Sequence, residues 1–261
     1  MGENGTACGR LDYSEASENM KIINGVSWGI ITARGGSKSI PLKNIVPVCG
    51  KPLIEYTINA AQKAQTINRI ICSTDSKSIA DIVKALNAEA LDRLEHLSGD
   101  LVPSLDVMIN VVETLHEKEG AIAEILVLFQ PTSIFITSEQ IDKTVKALLE
   151  DPDAMSSQTV VKVPHQFHAH NQRVMYDNGK DIAFVYQKER EKGYSRQTKP
   201  VYYTYGNLIV TRTKSLIEDK TLFGRPSIPI TIPLYSAYDL DAQEDIELAE
   251  LMIKNKLVKI E

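Results

Sequence analysis

Three short apolar runs, each followed by a polar loop and then by an amphipathic helix, constrain the fold of this chain more than any other feature. The runs cover residues 28–33, 69–75 and 123–130, and each has the length of a buried strand. Strands that alternate with helices predict a mostly parallel sheet with helices on both faces, because parallel strands need long crossover connections. The sequence therefore indicates an α/β protein.

Local signals predict where several helices begin. Pro52 stands where the first helix is expected to open, and a second helix is predicted over residues 76–86. Thr137 and Gln140 have the spacing of a capping box, and residues 241–245 have the composition of a cap for the final helix. These helices follow the predicted strands in the order that an α/β sheet requires.

The pattern changes at two places along the chain. Residues 1–27 are polar and are interpreted as an N-terminal extension, so the main domain is expected to cover residues 28–261 from Trp28 onward. Between about residues 156 and 212, short β-like segments replace the alternation of strands and helices. This stretch is predicted to be an inserted β-rich extension of the same domain.

Composition limits the partners that such a chain can have. Twenty-nine Lys and Arg against 34 Asp and Glu give a net charge of −5, which argues against a nucleic-acid coat or a polybasic membrane anchor. Three cysteines without close spacing suggest neither a disulfide framework nor a thiolate zinc site. No apolar run approaches the roughly 20 residues that cross a bilayer. We expect a soluble, cytoplasmic protein without a nucleic-acid or membrane partner.

The loop 33–44 is the most informative segment for function. It combines two adjacent glycines, which allow a ligand to approach the backbone closely, with three cations: Arg34, Lys38 and Lys43. Exposed N–H groups beside three cations suit a triphosphate, whereas the alternative is a solvated turn with surface lysines. The polar segments 73–75 and 130–133 follow the other two strands. All three segments are expected at the carboxyl edge of the sheet, where ligands bind in such folds.

The loop and its continuation resemble the opening signature of the acylneuraminate cytidylyltransferases, the CMP-sialic acid synthetases and their relatives that act on other nonulosonic acids. The matching segments are Ala33-Arg-Gly-Gly-Ser-Lys38, Ile40-Pro-Leu-Lys-Asn44 and Gly50-Lys-Pro-Leu-Ile54. Further along the chain, residues 73–75, 130–133 and 239–241 resemble later motifs of this family in the same order. The resemblance extends from about Trp28 to the C-terminus.

The resemblance implies a Rossmann-like sheet with a dimerisation extension, and hence a homodimer. It also implies a CTP-dependent nucleotidyltransferase, in which the anomeric hydroxyl of a 2-keto sugar acid attacks the α-phosphorus of CTP and pyrophosphate leaves. Three alternatives stay open. The acceptor could be a 3-deoxy-octulosonic acid or a phosphonate, the chain could bind nucleotide without turnover, or it could be a dimeric scaffold.

The resemblance assigns residues to the nucleotide half of the reaction. Arg34 and Lys43 match positions that grip the triphosphate, and together with Asp239 and Asp241 they form the expected catalytic set. Nucleotide binding is also expected from eight residues: Ala33, Gly35, Gly36, Ser37, Lys38, Asn44, Arg93 and Ser104. Ser104 has a second interpretation as the N-cap of a helix.

Asp239 and Asp241 match the paired metal-binding aspartates of the family, which implies Mg²⁺ as the cofactor. Two carboxylates two residues apart on an extended segment point to the same side and can share one ion. The alternative for Asp241 is a helix cap, since Glu244 follows three residues later.

For the acceptor sugar, the resemblance implies four contacts: Gln130, Arg196, Tyr203 and Gly206. The chain departs from the family here, because Tyr205 stands before the glycine where asparagine is usual, and Ile136 replaces a usual arginine. Sialic, legionaminic and pseudaminic acids therefore all stay open as acceptors. The histidines at 165, 168 and 170 could hold zinc, but no neighbouring Cys or acidic ligand completes a site, so solvated or acceptor-contacting histidines are the simpler interpretation.

Overall fold

A seven-stranded sheet forms the centre of the protein, whose computed structural model describes residues 20–192 and 199–261. The order of its strands is β11-β7-β10-β6-β1-β4-β5, and two short ribbons, β2-β3 and β8-β9, lie outside it. The strands are β1 Lys21–Thr32, β2 Pro47–Val48, β3 Lys51–Pro52, β4 Arg69–Thr74, β5 Glu89–Asp92, β6 Ala121–Phe129, β7 Ser156–Lys162, β8 Arg173–Tyr176, β9 Asp181–Phe184, β10 Tyr203–Arg212 and β11 Ser227–Thr231.

Helices connect most of these strands. They are α1 Leu53–Lys63, α2 Lys77–Ala85, α3 Ser104–Glu119, α4 Ser138–Glu150, α5 Gln187–Glu191, α6 Thr213–Ile217 and α7 Gln243–Lys254. Single turns of 3₁₀ helix lie at Lys43–Ile45, Glu95–Leu97, His165–Phe167, Ala169–Asn171, Asp177–Gly179 and Leu234–Ala237. The predicted capping box is confirmed, because Thr137 Oγ1 accepts from the Gln140 N–H and the Gln140 side chain accepts from the Thr137 N–H.

The directions of the strands confirm the predicted α/β fold with a mostly parallel sheet. Strand β10 runs antiparallel to β6 and β7, and the other neighbouring pairs in the central sheet are parallel. Helices α1, α2 and α4 pack on one face, whereas α3 and α6 pack on the other. The central strand β6 is buried on both faces, which explains its continuous apolar sequence from Ile125 to Phe129.

Two buried positions in the neighbouring strands show how tightly the sheet is packed. A Cβ on Gly29 would lie 2.5 Å from the Phe129 ring, so only glycine fits in β1 at this point. Cys72 of β4 is a free thiol without exposure to solvent, and burial raises its pKa to about 12. It therefore behaves as a small core residue.

The first strand begins earlier than the sequence indicates. It starts at Lys21 and not at Trp28, because Lys21–Ile23 pair with residues 121–123 of β6 before the register shifts. Gly25 lies in this irregularity with a positive φ of 71°. Most residues of this first part are exposed, and Asn24 and Gly25 separate its two isoleucines from the apolar run at Trp28, so the segment reads as part of an extension.

The region 156–212 is also organised differently from its prediction as a single insertion. Its first and last strands, β7 and β10, belong to the central sheet, and the ribbon β8-β9 lies between them in the sequence. The sequence of β7 is misleading because its buried hydroxyls are paired. Ser156 Oγ donates to the Gly224 carbonyl and Ser157 Oγ donates to the Thr144 carbonyl, each at 2.7 Å. No helix in the described part of the chain is long and apolar enough to cross a membrane.

Candidate functional site

A cleft of about 560 Å³ opens at the carboxyl edge of the sheet, where β1, β5 and β6 end. Nine of the residues predicted for the site line it: Arg34, Ser37, Lys38, Lys43, Asn44, Arg93, Ser104, Gln130 and Asp241. Two of the three polar segments, 33–44 and 130–133, thus contribute to the cleft, whereas residues 73–75 do not line it and instead contact the backbone of the glycine loop. Ser104 is the first residue of α3 and Pro103 takes the N-cap position, so the N-cap interpretation of Ser104 is wrong.

Backbone contacts fix the shape of the glycine loop. The Ala33 N–H donates to the Ser73 carbonyl at 3.1 Å, and the Gly35 N–H donates to Asp75 Oδ1 at 2.7 Å. A Cβ on Gly35 would lie 2.8 Å from the Ser76 Cβ, so a side chain there would displace the loop from α2. Asp75 therefore holds the loop through the backbone.

Two other loop residues differ in their surroundings. Asn44 is buried and its Nδ2 donates to the Arg34 carbonyl at 2.9 Å, which joins the two ends of the loop. A Cβ on Gly36 would meet no atom within 4 Å, so Gly36 faces open space. Among the predicted glycines, Gly35 is thus required by packing, whereas Gly36 leaves the backbone accessible.

Arg93 supplies a buried cation on one wall of the cleft. Its guanidinium donates from Nη2 to the Ser73 carbonyl at 2.7 Å and from Nε to Ser73 Oγ at 3.2 Å. Burial lowers its pKa, while the Asp75 carboxylate acts in the opposite direction. Arg93 is therefore positioned by β4, the strand that also holds the glycine loop.

Asp100 is a site residue that the sequence did not reveal. Its carboxylate lies between Arg34 Nη1 and Lys38 Nζ, at 2.5 Å from each. Hydrogen bonds from Lys38 and then from Arg34 lower the pKa of Asp100. The only sequence signal was a polar stretch, residues 98–100, between Arg93 and α3.

Lys43 and Asp241 both line the cleft and form an ion pair there. Lys43 Nζ lies 2.9 Å from Asp241 Oδ1, although the two residues are 198 positions apart in the chain. Asp245 caps α7, because its Oδ2 accepts from the N–H groups of Asp241 and Ala242 at 2.9 and 2.8 Å. The interpretation of the Asp241 side chain as the helix cap is therefore wrong, and its carboxylate is turned to the cleft.

Asp239 lies beside the cleft on the same segment as Asp241. Ser133 Oγ donates to Asp239 Oδ1 at 3.5 Å, and Thr132 also bonds to this carboxylate. Desolvation by the surrounding protein raises the pKa of Asp239, and the charge of Asp241 adds to the effect. A cation shared with Asp241 would offset this effect and stabilise the charged form of Asp239.

The oxygen chemistry of this pair fits Mg²⁺, which prefers carboxylate, phosphate and water oxygens. Within residues 20–192 and 199–261, no group of three or more His, Cys, Asp and Glu could hold a metal ion. A cation on Asp239 and Asp241 would therefore take its remaining ligands from phosphate oxygens and water. The same finding excludes a zinc site built from three histidines in the described ranges.

The residues predicted for the acceptor are not gathered in the cleft. Gln130 lines it, whereas Tyr203 is exposed on β10 next to Lys162 of β7. Gly206 is buried, and a Cβ there would lie 2.6 Å from Thr159 Oγ1, so its role in the fold is close packing. Arg196 lies outside the described residues.

The histidine cluster stabilises the base of the ribbon region. The His168 ring stacks on Tyr202 with centroids 4.6 Å apart, and its Nε2 lies 3.0 Å from the Pro200 carbonyl oxygen. The His170 N–H donates to His168 Nδ1 at 3.2 Å. Both histidines are buried. These contacts explain the motif as packing and hydrogen bonding.

A mostly parallel α/β sheet whose carboxyl edge presents four cations and two aspartates is the framework of a nucleotidyltransferase. The particular family follows from comparison with known proteins. The sequence model of the cytidylyltransferase family matches residues 28–252, and this chain therefore belongs to that family. It is accordingly a CTP-dependent nucleotidyltransferase, as the sequence predicted.

Two similar proteins match this chain over nearly their whole length. The chain is 26% identical to a pseudaminic acid cytidylyltransferase of Campylobacter jejuni, over 86% of this chain and 95% of that protein. It is 29% identical to a CMP-N,N'-diacetyllegionaminic acid synthase of Legionella pneumophila, again over 86% and 95%. Both names place the relatives in the predicted family.

Among solved structures, a CMP:2-keto-3-deoxy-manno-octonic acid synthetase complexed with CTP has a similar fold. The TM-score is 0.64 at 14% identity, and the match covers 88% of this chain and 99% of that one. This likeness confirms the architecture of the sheet and its helices.

Proposed function

We propose that this protein joins CTP and a nine-carbon 2-keto sugar acid to give the CMP-sugar and pyrophosphate, with Mg²⁺ as the cofactor. The observation that carries the proposal is the meeting of Arg34, Lys38, Lys43 and Arg93 with Asp241 in one cleft of a cytidylyltransferase fold. A triphosphate carries the charge that such a set of cations binds best.

The nucleotide occupies the part of the cleft between the glycine loop and α3. Arg34, Lys38 and Lys43 neutralise the phosphates, and the backbone at Gly36 leaves room for a phosphate to approach. Arg93 and Ser104 line the wall on the nucleoside side. Alignment and charge neutralisation supply most of the rate enhancement in phosphoryl transfer, because little covalent help is needed.

Asp239 and Asp241 would hold the Mg²⁺. When bound, this ion neutralises charge on the phosphate oxygens and on the departing pyrophosphate. Lys43 donates to Asp241 and so orients one of the two carboxylates toward the phosphates. The position of Asp241 depends on Asp245, whose Oδ2 accepts from the Asp241 N–H and so fixes the backbone there.

The acceptor approaches from the Gln130 side of the cleft. Its anomeric oxygen forms a bond to the α-phosphorus of CTP, the bond from that phosphorus to the bridging oxygen of pyrophosphate breaks, and the hydroxyl proton leaves to water or a phosphate oxygen. Gln130 orients the sugar by hydrogen bonding. The names of the two near full-length relatives favour a pseudaminic- or legionaminic-type acid.

The test is pyrophosphate release with CTP, Mg²⁺ and a panel of sialic, legionaminic, pseudaminic and 3-deoxy-octulosonic acids. We expect release with one nine-carbon acid, and a loss on the order of 100-fold or more in the Asp239→Asn, Asp241→Asn double variant. The matched control is Asp151→Asn, Asp153→Asn, an exposed pair with the same spacing before β7.

The outcomes separate the possibilities cleanly. Release with the octulosonic acid alone would show that the acceptor is an eight-carbon acid and not a nine-carbon one. Equal rates in the two double variants would show that Asp239 and Asp241 have no role in the reaction. Absence of release with every acceptor, together with absence of CTP binding, would overturn the proposed function.

A further inference from the structure

One side chain, the Asp245 carboxylate, contacts both ends of the short segment that carries Asp239 and Asp241. Its Oδ1 accepts from the Tyr238 hydroxyl at 2.6 Å. Its Oδ2 accepts from the N–H groups of Asp241 and Ala242, at 2.9 and 2.8 Å. Tyr238 immediately precedes Asp239 in the sequence, so the chain bends around this carboxylate with both aspartates between or at the contact points.

Leu240 anchors the middle of the same segment. Its N–H donates to the Thr132 carbonyl at 3.3 Å, and its side chain is fully buried. The apolar cluster that encloses it, called here the α1–α7 cluster, includes Leu53 and Tyr56 of α1 and Ile246 and Ala249 of α7. A segment held at one point can pivot, whereas this one is held in the middle by Leu240 and at both ends by Asp245.

Tyr238 determines how the Asp245 carboxylate is turned. The Tyr238 ring packs against the α1–α7 cluster, so the phenol has a fixed position of its own. The last torsion of an aspartate side chain is broad, and a donor on Oδ1 keeps Oδ2 directed at the two backbone N–H groups. Hydrogen bonds to an ionised acceptor are about twice as strong as neutral ones. Tyr238 therefore acts on the backbone of residue 241 through Asp245, although it does not itself line the cleft.

We propose that Tyr238 is a positioning residue for Asp239 and Asp241, and that it acts through Asp245. With the phenol bound to Asp245, the backbone that carries the two aspartates keeps one conformation before a divalent cation binds, so binding requires less ordering. Groups behind metal ligands commonly orient them and strengthen metal binding. The inference rests on the proposed function, since it gives the aspartates the metal role, and it adds a residue that the family resemblance did not assign.

Tyr56→Phe is a matched control, because Tyr56 also donates a phenolic hydrogen bond beside the α1–α7 cluster. Its hydroxyl donates to the Val48 carbonyl at 2.7 Å, and Tyr56 does not line the cleft. Each variant loses one oxygen atom and one satisfied hydrogen bond, so both are expected to melt below the wild type without ligand. Only Tyr238→Phe changes a contact of Asp245.

The experiment is thermal unfolding of the wild type and the two variants, with Mg²⁺ titrated at a fixed CTP concentration. The Mg²⁺ concentration for half of the stabilising shift is expected to rise about fivefold in Tyr238→Phe and to stay unchanged in Tyr56→Phe. This is less than the roughly 10- to 100-fold effect of a group that contacts a metal ligand directly, because Tyr238 acts one contact further away. CTP binding in EDTA, without a divalent cation, is expected to be equal in all three proteins, since the Tyr238 hydroxyl contacts Asp245 and not a cation of the cleft.

A second background tests the route through Asp245. We expect Asp245→Ala to raise the Mg²⁺ midpoint by itself, and the addition of Tyr238→Phe to raise it no further, because residues in one hydrogen-bond network act together. A further rise as large as the rise that Tyr238→Phe causes alone would show that Tyr238 does not act through Asp245.

Three results would overturn the role of Tyr238 and leave the proposed function intact. They are an equal Mg²⁺ midpoint in the wild type and Tyr238→Phe, an equal rise in Tyr56→Phe, and weaker CTP binding by Tyr238→Phe in EDTA. A wild-type protein that Mg²⁺ and CTP do not stabilise at all would be a different failure. It would overturn the proposed function, and the positioning role with it.

Discussion

At the scale of single residues, the candidate site contains an anion of its own. Asp100 bridges Arg34 and Lys38, the two cations that we assign to the triphosphate. A phosphate group needs the same donors, so the nucleotide and the carboxylate compete for them. Binding of CTP thus exchanges one set of charge-assisted hydrogen bonds for another.

The Asp100→Asn variant tests this competition. We expect the KM for CTP to fall roughly threefold at low salt, because the removed charge no longer competes, and the difference to shrink as salt screens exposed charges. The measurement is the KM for CTP at several ionic strengths. Asp81→Asn is the control, since Asp81 pairs with Lys77 on the exposed face of α2. A higher KM in Asp100→Asn would instead mean that Asp100 holds the cations in place for the nucleotide.

The cations of the site could be predicted from the sequence, whereas Asp100, the anion that pairs with two of them, could not. Arg34, Lys38 and Lys43 stand in one loop, so a local pattern is enough to find them. Asp100 reaches Arg34 only through folding, since the two residues are 66 positions apart in the chain. The neighbours of Asp100 in the sequence carry no signal, because its position depends on the geometry of the loop before α3.

At the scale of elements, β10 is the strand that joins the two parts of the protein. It pairs with the core strand β6 at one end and with β7 along its length, with a register irregularity between Tyr205 and Ile209. Gly206 and Asn207 lie in this irregularity, and Asn207 Nδ2 donates to the Ser236 carbonyl at 2.8 Å. Strand pairing before and after the irregularity, and the Asn207 hydrogen bond within it, therefore fix the course of β10.

Gly206→Ala is expected to destabilise the protein by about 1–3 kcal/mol. The added Cβ would lie 2.6 Å from Thr159 Oγ1 and 2.9 Å from the Thr159 backbone, which cannot move without shifting β7. The free energy of unfolding from denaturant titration measures the effect. Gly36→Ala serves as the stability control, because open space surrounds that position. Equal stabilities of the two variants would contradict the packing role.

Elements with strong apolar patterns were predicted well, and polar ones were not. The runs ending at the three polar loops became β1, β4 and β6, because burial on both faces requires continuous apolar sequence. Strand β7 is rich in Ser and Thr, and its hydroxyls are satisfied by distant carbonyls that a sequence pattern does not reveal. The first residues of β1 include Ile22 and Ile23, but Asn24 and Gly25 interrupt the apolar pattern before Trp28, and the segment was therefore not joined to the strand.

At the scale of the whole molecule, the ribbon β8-β9 presents apolar side chains to solvent. Met175 and Ile182 are paired across its two strands and are 71% and 58% exposed. An isolated two-stranded ribbon is marginally stable in water, so packing against another surface would stabilise it. We propose that this surface is a second copy of the chain, in line with the homodimer that the family resemblance implies.

The dimer can be tested with Met175→Glu, Ile182→Glu. We expect this double variant to sediment as a monomer, because two buried charges would be unpaired at the interface. Lys180→Glu is the control, since it changes the net charge by the same amount at an exposed turn beside the ribbon. Sedimentation velocity over a range of concentrations measures the mass. If the wild type is a monomer, or if the double variant remains dimeric, the ribbon does not form a dimer interface.

The contact between Lys43 and Asp241 has a consequence for the order of folding. This contact joins two residues that are 198 positions apart in the chain. The central strand β6 likewise pairs with β1, about a hundred positions earlier. Such non-local pairings slow folding, because most of the chain must be brought together before they form. The cleft is thus completed only after the C-terminal segment has docked. During synthesis, the glycine loop is therefore made long before the segment that carries Asp239 and Asp241, and the cleft stays incomplete until that later segment has folded.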